Sequence, residues 1–199
     1  MDHWKGIIGA SFSPAGFDQY CHSLTWPQWR PSFVALHNTE IPTLAAQPHG
    51  LSKDDILALE HYYRYEAGKK AGKPWTAGPH LFIDDHQIWV FTPLTVSGVH
   101  SPCFNKVALG VEMLGNYDTE AFDSGRGLAV QTNTIAALAT LHAVLGLDPA
   151  TLRLHKEDVC STHRHCPGRN VSKTAVIQKV QDLLQVRHPG DHLPPPPTP

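Results

Sequence analysis

Two short apolar runs in this chain end on histidine, "FVALH" at 33–37 and "TLRLH" at 151–155. A brief apolar run closed by a polar residue reads as a buried strand that delivers its last side chain to one end of a sheet. The second run leads straight into "LHKEDVCSTHRHCPGRN", residues 154–170, which packs three histidines and two cysteines ahead of a Pro-Gly turn. A chain that brings two strand-end imidazoles near such a loop is constrained to an architecture whose strand ends converge.

The rest of the chain supports one such domain. Its 199 residues are 41% hydrophobic and 17% charged, enough to bury one core. The formal net charge is −2 and no dense Lys/Arg run is present, which argues against a nucleic-acid partner. The N-terminus "MDHWKGIIGASFSPAGF" lacks a basic start followed by an apolar core, so synthesis in the cytoplasm without a secretory signal is expected. No run of 18 apolar residues is seen, and membrane insertion is not expected. Four sparse cysteines, Cys21, Cys103, Cys160 and Cys166, then read as free thiols or metal ligands rather than a disulfide framework.

Residues 1–31 read as an irregular lead-in with one short helix around 17–24. Ser52, followed by Asp54 and Asp55, caps an amphipathic helix with Ile56, Leu59 and Tyr63 on one face. "HLFIDDHQIWVFTPL" predicts a hairpin. "KVALGVEML", 106–114, predicts a strand with Ala108, Gly110 and Glu112 on one face. The run 128–145 is helical, with Gly146 as its stop and His142 at the edge of the core, and a last helix follows Ser172. The catalytic domain is placed at 32–186, and the proline-rich stretch 187–199 is read as a tail. Strands interleaved with helices give an α/β class, a single domain with a central mixed β-sheet flanked by helices.

The histidine and cysteine residues admit three arrangements. A self-contained structural zinc site of Cys160, His163, His165 and Cys166 crowds its ligands more tightly than such sites do. A Cys160–Cys166 disulfide is the second. The third joins His37, His155 and Cys166 into a His2Cys site with a position left for water, as catalytic zinc requires.

At this point four segments carry a resemblance. "VALHNTEIPTL", "AGPHLFIDDHQIWVFTPL", "NKVALGVEMLGNYD" and "LHKEDVCSTHRHCPG" resemble, in order, motifs of the zinc amidase family that contains T7 lysozyme-type endolysins, AmpD-type amidases and the peptidoglycan recognition proteins. The match spans about residues 33–184. It implies a T7 lysozyme/peptidoglycan recognition protein-like fold, Zn2+ held by His37, His155 and Cys166, and N-acetylmuramoyl-L-alanine amidase activity on peptidoglycan or muropeptides. A phage or prophage endolysin or a bacterial cell-wall amidase, acting as a monomer, is the expectation; a non-catalytic peptidoglycan-binding module and a cytosolic muropeptide-recycling amidase are the alternatives.

Amide hydrolysis needs an activated water, a stabilised oxyanion and a proton for the leaving amine. Glu112, a carboxylate in an apolar strand, is the candidate proton shuttle. Arg164 stands where the family commonly has Lys, and its permanent charge suits an electrostatic role alone. His163 or His165 are candidate proton donors in its place, and His165 is the next candidate ligand should the loop alignment displace Cys166. Pro79 stands where the T7-type branch has a catalytic Tyr, which shifts the expected load onto Glu112. His80, His100 and Asn116 are candidate substrate contacts, with Asp118 beside Asn116. Of Trp75, Trp89 and Phe91, core packing is the default for two.

Overall fold

The computed structural model describes residues 3–26, 29–70, 72 and 74–187. One six-stranded sheet organises the chain, in the order β1-β4-β3-β5-β2-β6. Its centre is parallel: β2 (Phe33–Asn38) pairs with β5 (Ala108–Met113), β5 with β3 (Leu81–Ile83), and β2 with β6 (Arg153–Leu154). The expected hairpin supplies β4 (Ile88–Val90), antiparallel to β3. Every residue of β3, β4 and β5 is buried, which is why these strands read as near-continuous apolar runs.

The lead-in at 1–31 is more ordered than its composition suggested. Ala10–Phe12 forms β1, an antiparallel edge strand on β4, and Pro14–Ser23 forms α1, three residues earlier than the expected start. Ser13 caps α1 by accepting the Gly16 N–H, and Pro14 sits in the first turn, where no N–H is needed. Three residues are too few for a period-2 pattern to register, so only pairing with β4 shows that they form a strand.

Ser52 caps α2 (Lys53–His61), and Asp55 returns the contact in a capping box. Instead of continuing as α-helix, the chain widens into one π-helical turn at Tyr62–Ala67 before the short α3 (Gly68–Lys70). Tyr63 packs on Phe82 and Phe91 from this turn, so the α2 segment covers the sheet face that carries Phe82.

The long helix α4 (Gly125–Leu145) starts before the expected 128 and stops at Gly146, which takes the left-handed conformation. It is long and apolar enough to cross a membrane by length and composition, but 67% of that window is buried; it is the core helix of this domain, packed on β3 and β4 and against α1 and α5. Its His142 is 2% exposed and donates from Nδ1 to the Leu138 carbonyl, deeper than the expected edge position. The last helix, α5, runs Lys173–Arg187 after Ser172. The proline-rich tail, apart from Arg187, lies outside the described residues.

Candidate metal centre and active site

Four parallel strands, β3, β5, β2 and β6, end on the same side of the sheet, and the site is built there. Ligands in open α/β sheets collect at the carboxyl ends of strands. His37 is the fifth residue of β2 and lies directly opposite Glu112 of β5, which in turn faces Phe82 of β3. His155 follows β6 immediately. Cys166 comes from the loop beyond, and its thiol accepts the Asn38 N–H at 3.4 Å. One donor atom from each of His37, His155 and Cys166 lies within 4.8 Å of the others.

The Pro-Gly after Cys166 is explained by packing. The Cys166–Pro167 peptide is cis, and Gly168 has φ of +109°, where a Cβ would stand 2.4 Å from the Tyr117 carbonyl carbon. Only glycine allows the chain to pass so close to that backbone. The Lys156 N–H donates to the Cys166 carbonyl at 3.0 Å, which ties the loop's end to its start beside His155.

Burial sets the protonation of the group. His37 is 1% exposed, and burial first, then His100, His155 and His163, holds it neutral far below the usual histidine range. Burial lowers His155 to about 4. Burial alone raises Glu112 to about 8, and burial foremost pushes the Cys166 thiol up. Two neutral imidazoles, a thiol and a carboxyl group would share an apolar site in which a cation favours the thiolate and carboxylate forms. His37 spends Nε2 on His100 and His155 spends Nε2 on Ser161, at 3.0 and 2.8 Å. Neither Nδ1 has a hydrogen-bond partner among the described residues, the closest approach recorded being His37 Nδ1 to Glu112 Oε1 at 3.9 Å. The donor set therefore fits zinc: two imidazole nitrogens left available, one thiol, and outer partners already orienting the rings.

Above the three groups lies a cleft of about 370 Å³ whose apolar wall includes Ile41, Leu59, Tyr62, Tyr63 and Trp75. Trp89 and Phe91 belong to the core, which leaves Trp75 as the aromatic of that trio at the cleft. Tyr62 and Tyr63 are adjacent in sequence yet both line it, from the π-helical turn. With Leu59 they stand at i, i+3 and i+4, so helical spacing already placed Leu59 and Tyr63 on one face, although it gives no sign of the π turn itself.

The other candidate residues differ in how far their polar atoms are already engaged. His80 is 0% exposed; its Nδ1 accepts the Gly110 N–H and its Nε2 donates to the Val96 carbonyl, so it braces β5 and offers nothing to a substrate. His100 is 8% exposed and lines the cleft beside His37, with both ring nitrogens engaged. Half-buried Asn116 accepts the Asp118 N–H at Oδ1, closing the turn after β5. Asp118 is likewise used, accepting the Arg169 N–H. Arg164 is exposed and directs its guanidinium to the Asp158 carbonyl, whereas His163 lines the cleft and stacks on His155 with ring centroids 5.1 Å apart.

The cysteine expectation also changes. Cys160 is bonded to Cys103, with Cα atoms 5.7 Å apart, and not to Cys166; Cys21 and Cys166 are free. The disulfide ties the loop between His155 and Cys166 to the connection before β5. Beside it the Asp158 carboxylate accepts from Ser101 Oγ and from the N–H groups of Cys103 and Cys160. The sequence reading expected free thiols or metal ligands, and only the fold brings Cys103 across to Cys160.

Comparison of the sequence with family models and with curated proteins finds no match. Solved structures do match. The N-acetylmuramoyl-L-alanine amidase endolysin LysCS from Clostridium intestinale is 22% identical, with a TM-score of 0.56 over 80% of this chain and 92% of that one. A mutant endolysin from Bacillus subtilis is 21% identical, at TM-score 0.53 over 75% and 85%. Drosophila PGRP-LB is 18% identical, at 0.54 over 73% and 79%. With its mixed six-stranded sheet and flanking helices, the chain has the T7 lysozyme/PGRP-like fold of these amidase and PGRP structures.

Proposed function

We propose that this protein is a zinc-dependent N-acetylmuramoyl-L-alanine amidase that hydrolyses the amide between N-acetylmuramic acid and L-alanine in peptidoglycan. The observation that carries the reading is the convergence of His37, His155 and Cys166 within 4.8 Å at the floor of a cleft, with Glu112 beside His37. The N-acetylmuramoyl-L-alanine amidase endolysin among its structural neighbours supports the substrate class.

A zinc ion held by these three residues would supply Lewis-acid polarisation of the scissile carbonyl and an acidified water. The protein's own groups do the rest. Glu112 takes the proton of the attacking water and passes it to the leaving nitrogen of L-alanine, a task suited to a carboxyl group whose burial has moved its pKa toward neutrality. Trp75, Tyr62 and Tyr63 present flat apolar surface to the sugar and stem peptide and exclude water from one side of the cleft. His163 stands at the rim as the candidate second donor.

The cellular role we favour is an endolysin or other wall amidase made in the cytoplasm and acting on the wall after release. The Cys103–Cys160 disulfide suits that course, since an exposed cysteine pair becomes oxidised outside a reducing compartment. Assays on intact sacculi and on soluble anhydro-muropeptides test it. Cleavage of sacculi is expected; cleavage of soluble muropeptides alone would favour a recycling enzyme, and tight binding with no cleavage a recognition module.

A further inference from the structure

His100 lines the cleft as a candidate substrate contact, and its hydrogen bonds give it a further task. The ring Nε2 lies 3.3 Å from the carbonyl oxygen of Ala108, and Nδ1 lies 3.0 Å from Nε2 of His37. A carbonyl only accepts, so Nε2 of His100 carries the proton. Buried between a carbonyl and a second imidazole, the ring is neutral, because a charged one would be poorly compensated there. Its Nδ1 then holds a lone pair and accepts. His37 must therefore donate from Nε2, which leaves Nδ1 of His37 as its free electron pair. The chain of assignments starts from one backbone carbonyl and ends on the atom a metal would use.

The surroundings hold His100 in that place. Its backbone N–H donates to Asn105 Oδ1 at 2.6 Å, and the same oxygen accepts the Ser101 N–H at 2.8 Å. Across the ring lies Gly110 of β5, where a Cβ would sit 2.4 Å from His100 Cγ. The small-residue face of β5 is thus the seat of the His100 ring.

We propose that His100 is a positioning residue for the metal centre, fixing His37 as the Nε2–H tautomer so that Nδ1 is presented as the ligand. This rests on the metal site proposed above. Ligating histidines that donate their second nitrogen to an outer partner lose about 10–100-fold in metal affinity when the partner is removed.

The test measures zinc affinity by competition with a chromogenic chelator for wild type, His37→Ala, His100→Leu and His100→Asn, alongside the melting temperature of each metal-free protein. Leucine keeps bulk without an acceptor, whereas asparagine can place its amide oxygen near the Nδ1 position. The expected result is a loss of about 10–100-fold in His100→Leu, largely restored in His100→Asn, with similar metal-free melting temperatures for the two variants. Equal affinity in His100→Leu and wild type overturns the proposal, as does an equal loss in both variants, which marks a packing role alone. If wild type binds no more zinc than His37→Ala, the metal reading fails and takes this inference with it; if wild type binds zinc and His100→Leu matches it, only this inference falls.

Discussion

Removing the Cys103–Cys160 disulfide, by a Cys103→Ser/Cys160→Ser double substitution or by reductant, perturbs both stability and the candidate site. The two residues are 57 apart in sequence, and loop-closure entropy for a loop of that size corresponds to about 4 kcal/mol at 25 °C. For a domain of this size each kcal/mol moves the melting temperature by about 2–4 °C, so a fall of roughly 8–16 °C is expected. Both cysteines are exposed, so a mild phosphine reductant reaches them without unfolding the chain. Calorimetry of the metal-free protein, with and without reductant, gives the shift, and alkylation followed by mass measurement counts the thiols released. The double variant should melt low in either condition. Because the bond anchors the loop between His155 and Cys166, reduction should also weaken zinc binding. A reduced wild type, shown by alkylation to have both thiols free, that melts at its oxidised temperature would refute the reasoning.

The ionisation of Glu112 gives a pH dependence with a definite sign. Its folded-state pKa is raised from 4.5 to about 8, so between those values the folded metal-free protein holds a proton that the unfolded chain has released. Stability of the metal-free protein should fall as pH rises through that window, by up to about 1.4 kcal/mol per unit, and Glu112→Gln should flatten this component in urea unfolding series at pH 5, 6, 7 and 8. Gly168→Ala forces a side chain against the Tyr117 backbone and should cost about 1–3 kcal/mol while reducing zinc affinity through Cys166; unchanged melting and zinc binding would contradict the packing given for the Pro-Gly turn. His163→Ala should lower turnover more than Arg164→Ala does, as only His163 of the two lines the cleft; equal activities in a sacculus-clearing assay would remove His163 from the account.

Local pattern made part of this site legible. The strand that carries His37 as its penultimate residue and the one that leads into His155 were readable from short apolar runs, and Glu112 from its place on the small-residue face of β5. What sequence could not supply depended on contacts between distant segments. β1 exists through β4, the disulfide through a 57-residue return of the chain, and the inward place of His100 through the bare backbone of Gly110. His80 was legible as a polar residue near the site, but not as a buried ring whose two nitrogens are both already used. The face that carries Leu59 and Tyr63 was legible from helical spacing, whereas the π-helical turn within it was not.

The most direct test of the central claim is the chemistry of the ends released from purified sacculi by zinc-loaded protein, compared with Glu112→Gln carrying the same zinc. The account predicts new α-amino groups that belong to L-alanine, released by wild type, and at most about a hundredth of that rate from the variant. New reducing sugar ends, new amino termini elsewhere in the stem peptide, or equal release by Glu112→Gln would contradict it.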